Sequence, residues 1–341
     1  MAGTNRVKSG TITSLKANSL QICAISDGRA GNARQAEALA LALAEGGAVS
    51  ILTLTPRAPW RWFAPRRTRG AGNAFGPDFV RLLEAAPGIA IGCGRQAALA
   101  TRLLRERGWR AVQILDPRLD PHHWDAVVVP EHDRLRGDNV LALLGGLHPV
   151  DDAWLARARE DFAAFGTLPG PRTAVLLGGT SAHARFDRMA FEVMAAKLEA
   201  VLARDGGSVL LTTSRRTDPE LVAALAHRYD DTPGVVWRGP DDGPNPYPGL
   251  LAWADRIVCS PDSVNMISEA CATRVPVFVF DPGRVRGRPR VFLDTLLARG
   301  RIRAMDATLA PFDAEPLREC ARVAEALRAR LGLERTAQPV P

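Results

Sequence analysis

Short apolar runs alternate with longer helix-patterned stretches almost from end to end of this 341-residue chain. In the first half, residues 20–26 read as a strand, 32–44 as a helix rich in Ala and Leu, and 49–54 as a second strand. Residues 89–92 follow as a third strand, 95–107 as a helix, and 111–115 and 126–129 as further strands. The second half repeats the rhythm, with strands at 173–177, 208–212, 235–237, 256–259 and 275–280 and helices at 186–204, 219–227 and 263–272. Strands separated by helical patterns are the signature of βαβ units, so each half is predicted to form a mainly parallel α/β sheet. Two domains also suit the length, because one hydrophobic core rarely grows past ~250–300 residues.

Three stretches break the rhythm. Residues 57–77 mix Pro, Gly, Arg and aromatics and read as an irregular loop. Residues 151–165 read as a connecting helix, and 166–172, with two prolines and two glycines, as the linker between domains. A last helix at 315–331 lies beyond the second sheet and is expected to pack back across the lobes. The expected organisation is a leader at 1–19, a first domain at 20–165, a second at 173–313, and a terminal helix within 314–332.

Composition narrows the functions available. An apolar fraction of 46% supports real cores, and no stretch approaches the ~20 apolar residues that span a bilayer. Residues 1–19 are polar and lack the apolar centre of a secretory signal, so a disordered leader and a cytoplasmic location are expected. The cysteines Cys23, Cys93, Cys259, Cys271 and Cys320 are odd in number and far apart, which supports neither disulfides nor a metal site. The net charge of +7 comes almost wholly from arginines scattered among Asp and Glu. Nucleic-acid binding asks for a clustered basic face, so it is not expected. An anionic small ligand or an anionic membrane surface suits this charge equally well.

Parallel sheets bind ligands beyond the carboxyl ends of their strands, and the unusual residues fall in such loops. The strand at 173–177 runs into Gly178-Gly179-Thr180-Ser181, either an anion cradle or an ordinary tight turn. The strand at 208–212 runs into Thr213-Ser214-Arg215-Arg216-Thr217-Asp218-Pro219. Paired arginines suit a diphosphate, while Thr217 or Asp218 before Pro219 suits a helix cap, and both can hold. The strand at 256–259 reaches Ser260-Pro261-Asp262-Ser263, where Asp262 or Ser263 can cap a helix carrying Asn265, Met266 and Glu269. Glu269 is either a solvated helix carboxylate or an acceptor for the two hydroxyls of a ribose.

In the first half, Asp27-Gly28-Arg29-Ala30-Gly31-Asn32 follows the first strand, and Gly92-Cys93-Gly94-Arg95 ends the third. The second of these is a phosphate cradle or a tight turn. Glu131, His132 and Asp133 follow the strand at 126–129, where His132 is either a poised base or an imidazole held in a charged turn. Trp60-Arg61-Trp62-Phe63-Ala64-Pro65-Arg66-Arg67 suits an anionic bilayer interface, or else a loop anchored by Trp.

The layout of Ser260, Ser263 and Glu269 followed by Val275-Pro276-Val277-Phe278-Val279 is similar to the donor-binding region of GT-B glycosyltransferases, notably those that glycosylate lipid-linked muramyl-pentapeptide. A resemblance to the ELM1 family covers nearly the whole chain. It rests on Asp27–Asn32 with Gln35, on Gln113–Asp120, Val129–Asp133 and Arg136–Val140, on Thr213–Thr217, and on Asp262-Ser-Val-Asn-Met-Ile-Ser-Glu269.

That resemblance implies a GT-B-like α/β fold, two Rossmann-like domains with a cleft between them, and glycosyl transfer from a nucleotide-sugar. It implies nothing about organelle division for this chain. Donor binding would fall to Gly179, Thr180, Ser181, Ser214, Arg215, Arg216, Ser260, Asp262, Ser263, Asn265, Met266 and Glu269. The acceptor or phosphate side would use Gly28, Arg29, Gly31, Asn32, Gln35, Gly94, Arg95, Glu131 and Asp133. The muramyl-transferase group often has a His where Asn32 stands, so Asp27 is the first choice of base and His132 the reserve. No metal and no cofactor are expected, the nucleotide-sugar being substrate. A lipid-linked acceptor or an anionic membrane surface at the inner membrane would be the other partner. Two further readings fit the pattern: a non-catalytic binding or scaffold protein at a membrane, and a nucleotide-sugar epimerase.

Overall fold

The computed structural model describes residues 21–333, so the leader expected at 1–19 lies outside the described residues. These residues divide into two compact units, one of residues 21–149 with 319–333 and one of residues 150–318.

The first unit holds a six-stranded parallel sheet of β1 (Ile22–Ser26), β2 (Val49–Thr53), β3 (Ile89–Cys93), β4 (Arg110–Ile114), β5 (Ala126–Pro130) and β6 (Val140–Leu143), in the order β2-β1-β3-β4-β5-β6. Its central strands are apolar on both faces because helices cover both. Ile22, Ala24, Ile89 and Ile91 are buried with Ala36, Leu39 and Leu43 of helix Ala30–Ala44. The intervening Cys23, Ile25 and Ala90 are buried in a separate cluster with Leu99, Leu103 and Leu104 of helix Arg95–Arg105. Strand β6 was not apparent in the sequence, since only four residues form it and three are half-buried.

The second unit repeats the plan with β7 (Arg172–Leu176), β8 (Ser208–Thr212), β9 (Gly234–Trp237), β10 (Arg256–Cys259), β11 (Val277–Val279) and β12 (Ile302–Ala304), all parallel, in the order β12-β11-β10-β7-β8-β9. Helix Arg188–Asp205 lays Phe191, Met194, Leu198 and Val201 on Val175, Val209, Leu211 and Val258. Asp187 caps it by accepting from the Ala190 N–H at 3.1 Å.

The unit boundary differs from the one expected. Residues 166–172 fall within the second unit, half-buried or exposed at its surface, and do not separate the two units. Arg172 clamps Asp255 through two guanidinium bonds of 3.1 and 3.2 Å, and Ser208 Oγ donates to the Pro169 carbonyl at 2.6 Å. Helix Asp152–Asp161 also belongs to the second unit, where Arg159 donates to the Ala252 carbonyl at 2.9 Å. The terminal helix runs from Cys320 to Leu331 and belongs to the first unit. There Val323, Ala324, Leu327 and Leu331 complete the core beside helix Ala30–Ala44.

Candidate functional site

Strand order reverses once in each sheet, between β1 and β3 in the first and between β7 and β10 in the second. The loops at such a reversal diverge and leave a crevice beyond the strand ends, which is where open α/β sheets bind ligands.

In the second unit one carboxylate organises that crevice. Asp262 lies in the loop after β10, and its side chain is fully buried. Its Oδ1 accepts from Ser260 Oγ at 2.6 Å, and its Oδ2 accepts from the Gly179 N–H at 3.0 Å and from Arg216 at 2.7 Å. Ser260 Oγ in turn accepts from the Gly178 N–H at 2.7 Å. The loops after β7, β8 and β10 are therefore stitched to one buried anion, whose charge is balanced by a guanidinium and two further donors.

This arrangement explains the paired glycines. A Cβ on Gly178 would sit 2.2 Å from Asp262 Oδ1, and one on Gly179 would sit 1.9 Å from the Arg216 carbonyl oxygen. The close approach is to neighbouring loops of the same chain, so Gly179 acts in assembling the site.

Several of the expected donor residues are bonded to groups of their own chain. Ser263, not Asp262, caps helix Val264–Cys271, accepting from the Met266 N–H at 3.4 Å. Asp218, not Thr217, caps helix Pro219–Ala224. Thr217 Oγ1 instead accepts from the Ser214 N–H and donates to the Leu177 carbonyl. Ser214 Oγ accepts from the Arg216 N–H at 3.2 Å, Thr180 Oγ1 from the Phe186 N–H at 3.3 Å, and Ser181 Oγ from the N–H groups of His183 and Ala184. Arg215 is exposed with no partner among the described residues, whereas Arg216 is half-exposed and committed to Asp262. Asn265 and Met266 are half-buried on the first turn of helix Val264–Cys271. Glu269 is 2% exposed, which rules out a solvated helix carboxylate.

Beside these loops opens a cleft of about 930 Å³, to which Ser181 and Pro261 contribute from two of them. Its remaining walls include His183, Arg185, Met189, Val193, Phe280, Arg284 and Arg286. The side chains of Arg185 and Arg284 are 85% and 88% exposed. The Arg286 N–H donates to the His183 carbonyl at 2.8 Å, tying the two sides together. The segment Phe280–Arg286 was missed as a site in the sequence. It directly follows a strand and carries two arginines in three positions, so the strand-end rule would have found it.

The crevice of the first unit is built more lightly. Asp27 Oδ1 accepts from Asn32 Nδ2 at 3.0 Å and from the Arg29 N–H at 3.2 Å, and the Arg29 guanidinium stands 3.5 Å from Oδ2. Gly94, at φ +88°, closes the other side; a Cβ there would meet Asn32 Nδ2 at 2.5 Å. Buried Gln113 supports that turn by donating to the carbonyls of Gly94 and Ile114. Gly28, at φ +81°, shapes the turn after β1, and Gly31 accepts a bond from Gln35 at 3.4 Å. Gln35 itself is 6% exposed and accepts from the Leu147 N–H at 3.4 Å, so it braces the core and does not line an open site. Arg95 donates to the Arg61 carbonyl at 2.8 Å, which holds a neighbouring turn in place.

His132 stands 3.9 Å from Asp133 on a short turn after β5, each side chain 10% exposed, while Glu131 is exposed. Three strand spacings separate the ends of β1 and β5, about 14 Å. Asp27 and His132 thus occupy different parts of the sheet edge. Burial pushes the Cys93 thiol up, with the Asp27 carboxylate adding to it, and burial pushes Cys23 and Cys271 up to about 12. None of the three offers a thiolate nucleophile at neutral pH. Among the described residues no group of three or more His, Cys, Asp or Glu side chains is placed to hold a metal ion.

Two Rossmann-like units, each with its polar loops gathered at a strand reversal, make this an α/β protein of GT-B-like composition. The sequence pattern described as Mitochondrial fission ELM1 matches residues 30–331, and the chain belongs to that family. The chain is 32% identical over 249 residues to the Mitochondrial fission protein ELM1 of Arabidopsis thaliana, a match covering 64% of this chain and 57% of that protein. It therefore spans little more than half the length of that relative. It is 22% identical over 364 residues to an uncharacterized protein of Rickettsia prowazekii, covering 93% and 100% of the two chains. Among solved structures, it is similar to Acinetobacter baumannii MurG, with a TM-score of 0.49, 14% identity and 92% and 91% of the two chains covered. It is also similar to the wall teichoic acid polymerase TagF, with a TM-score of 0.46, 10% identity and 91% and 80% covered.

Proposed function

We propose that the second unit binds a nucleotide-sugar at the ends of β7, β8, β10 and β11, and that the protein transfers the sugar to an acceptor held by the first unit. The observation that carries this reading is the clamp at Asp262. It holds three strand-end loops rigidly at the reversal point, beside a cleft whose volume falls within the roughly 300–1,000 Å³ of small-molecule sites. Arg286 lines the cleft together with Arg185 and Arg284, which are ion-paired with Asp187 and Asp281, and Arg215 on the β8 loop adds an exposed guanidinium; these would hold a diphosphate and stabilise it as it departs from the sugar. Phe280, Met189 and Val193 offer apolar surface to a base, and Ser181 a hydroxyl. Glu269, buried on helix Val264–Cys271 behind the clamped loops, is the proposed ribose acceptor.

Titration calorimetry with a panel of UDP- and GDP-sugars tests the reading. Saturable binding is expected, weakened about tenfold by Arg215→Ala or Arg284→Ala, the size of one lost charge-assisted contact. Glu269→Ala is expected to weaken it by a similar factor. A panel without any saturable binding sinks the proposal.

One observation favours a second reading, a binding protein without turnover. Asp27 is already engaged by Asn32 and Arg29, and it lies about 14 Å along the sheet edge from His132, so these two candidates do not form a general acid and base pair with each other. Release of free nucleoside diphosphate separates the two. If donor binds yet none is released with any acceptor offered, transfer is refuted and binding alone remains.

A further inference from the structure

Trp62 and Phe63 are 65% and 51% exposed, the two most exposed large apolar side chains of the first unit among the described residues. They are adjacent on the short helix Trp60–Phe63, which is held from behind. Trp60 is half-buried and its indole N–H donates to the Arg69 carbonyl at 3.2 Å, while Arg95 holds the Arg61 carbonyl. The two readings of this segment therefore divide between its aromatics: Trp60 anchors the loop, and Trp62 and Phe63 are left in solvent by a turn rigid enough to present them.

The surrounding charge is predominantly positive. Between Glu45 and Asp78 the chain carries five arginines and no acidic residue. Arg61 and Arg66 are exposed beside the aromatics. Behind them Arg67, Arg69 and Arg107 line a recess of about 660 Å³ with Leu83, Leu103 and the two acids Glu84 and Glu106. Of these, Arg67 is partly balanced by Glu106 at 3.3 Å.

We propose that this face docks the protein on an anionic lipid bilayer, with Trp62 and Phe63 entering the interfacial layer and the arginines contacting lipid phosphates. Exposed Trp and Phe set among arginines match the chemistry of a headgroup layer, apolar below and negative above. A second copy of the chain is a poor occupant, because a two-fold contact would bring like-charged arginines face to face. Docking of this kind is independent of the nucleotide-sugar reading and is tested without any nucleotide.

The full chain is floated with vesicles of phosphatidylcholine alone and of phosphatidylcholine with phosphatidylglycerol. Binding to the anionic vesicles only, weakened by high salt, is expected. Trp62→Ala with Phe63→Ala should lower that binding about tenfold, because both rings would leave the interface. Arg66→Gln with Arg67→Gln should lower it about twenty-fivefold, at roughly fivefold per basic residue, and should reduce the preference for anionic lipid. All four positions are exposed or half-exposed, so the variants should melt with the parent; co-flotation of either folded variant at parental levels overturns the proposal. So does equal binding to both vesicle types, or a change of oligomeric state on sedimentation as the sole effect of the aromatic pair.

Discussion

Each unit places an aspartate and a confined glycine at its strand reversal, yet the two aspartates do different work. Asp262 is wholly buried and ties together loops from three strands. Asp27 keeps 12% of its side chain in solvent and, among the described residues, is bonded by Arg29 of its own loop and Asn32 on the first turn of the helix that follows. A buried, fully bonded anion makes loops rigid relative to one another, because moving any of them strands a charge in a low dielectric. A rim carboxylate bonded locally leaves neighbouring loops free to adjust. Rigidity on one side suits recognition of a fixed chemical unit such as a diphosphate. The lighter construction of the first unit suits a ligand that varies or a surface that deforms.

Substitution breaks this comparison most directly at the aspartates. Asp262→Ala leaves Arg216, Ser260 and the Gly179 N–H without their acceptor, and should cost about 3 kcal/mol. Asp27→Ala, in a partly solvated loop, should cost about 1 kcal/mol. Urea unfolding of both variants measures the difference; equal losses would show that the two sites are built alike.

Glycine substitution gives the next largest contrast. In Gly179→Ala the added methyl meets backbone, the Arg216 carbonyl, which cannot swing aside, and the loss should be about 2–3 kcal/mol. In Gly94→Ala it meets the tip of Asn32, which can rotate, so the loss of about 1 kcal/mol comes mainly from φ +88°. A larger loss at Gly94 would reverse the assignment of rigidity.

The opposite end of the second sheet sets an acid limit. Bonds from Arg204 and then Arg256 hold the Asp205 carboxyl well below the usual carboxylate range. A folded-state value below the unfolded one near 4 means the contribution is fully present at neutral pH and is lost as pH falls below about 4. Asp205→Asn should flatten that limb of the stability curve and leave donor affinity unchanged, since Arg256 opens its strand at the end away from the site. A parallel acid limb in the variant would move the effect elsewhere.

Arg215→Ala should change least. The side chain is exposed with no partner among the described residues, so stability should stay within about 0.5 kcal/mol. Only the proposed donor affinity should respond. A large loss of stability would make Arg215 part of the scaffold and remove it from the ligand.

The elements were legible wherever burial on both faces left an unbroken apolar run, as in Ile89–Cys93 and Ser208–Thr212 with its Val-Leu-Leu centre. Strands of three or four residues at the sheet edges, Val140–Leu143 and Ile302–Ala304, carried too little of that signal. The candidate site was legible as a set of loops, because chemistry in parallel sheets collects after strands. The work of each residue within those loops was not legible. Whether Asp262 caps a helix or receives Gly179 and Arg216 depends on residues 83 and 46 positions away.

Local pattern alone thus determined the two α/β halves, the loops that carry polar chemistry, and the burial of Cys23, Cys93, Cys259 and Cys271, since all of these follow from periodicity and side-chain type. Only the tertiary structure decided that residues 166–172 belong to the second unit and are not a linker, that Gln35 braces a core, that Gly178 and Gly179 yield to a neighbouring loop, and that Trp60 is anchored while Trp62 is exposed. Each of those outcomes depends on what a distant segment places within a few ångströms. The chain folds to those contacts because buried polar groups and close-packed backbones tolerate few alternatives.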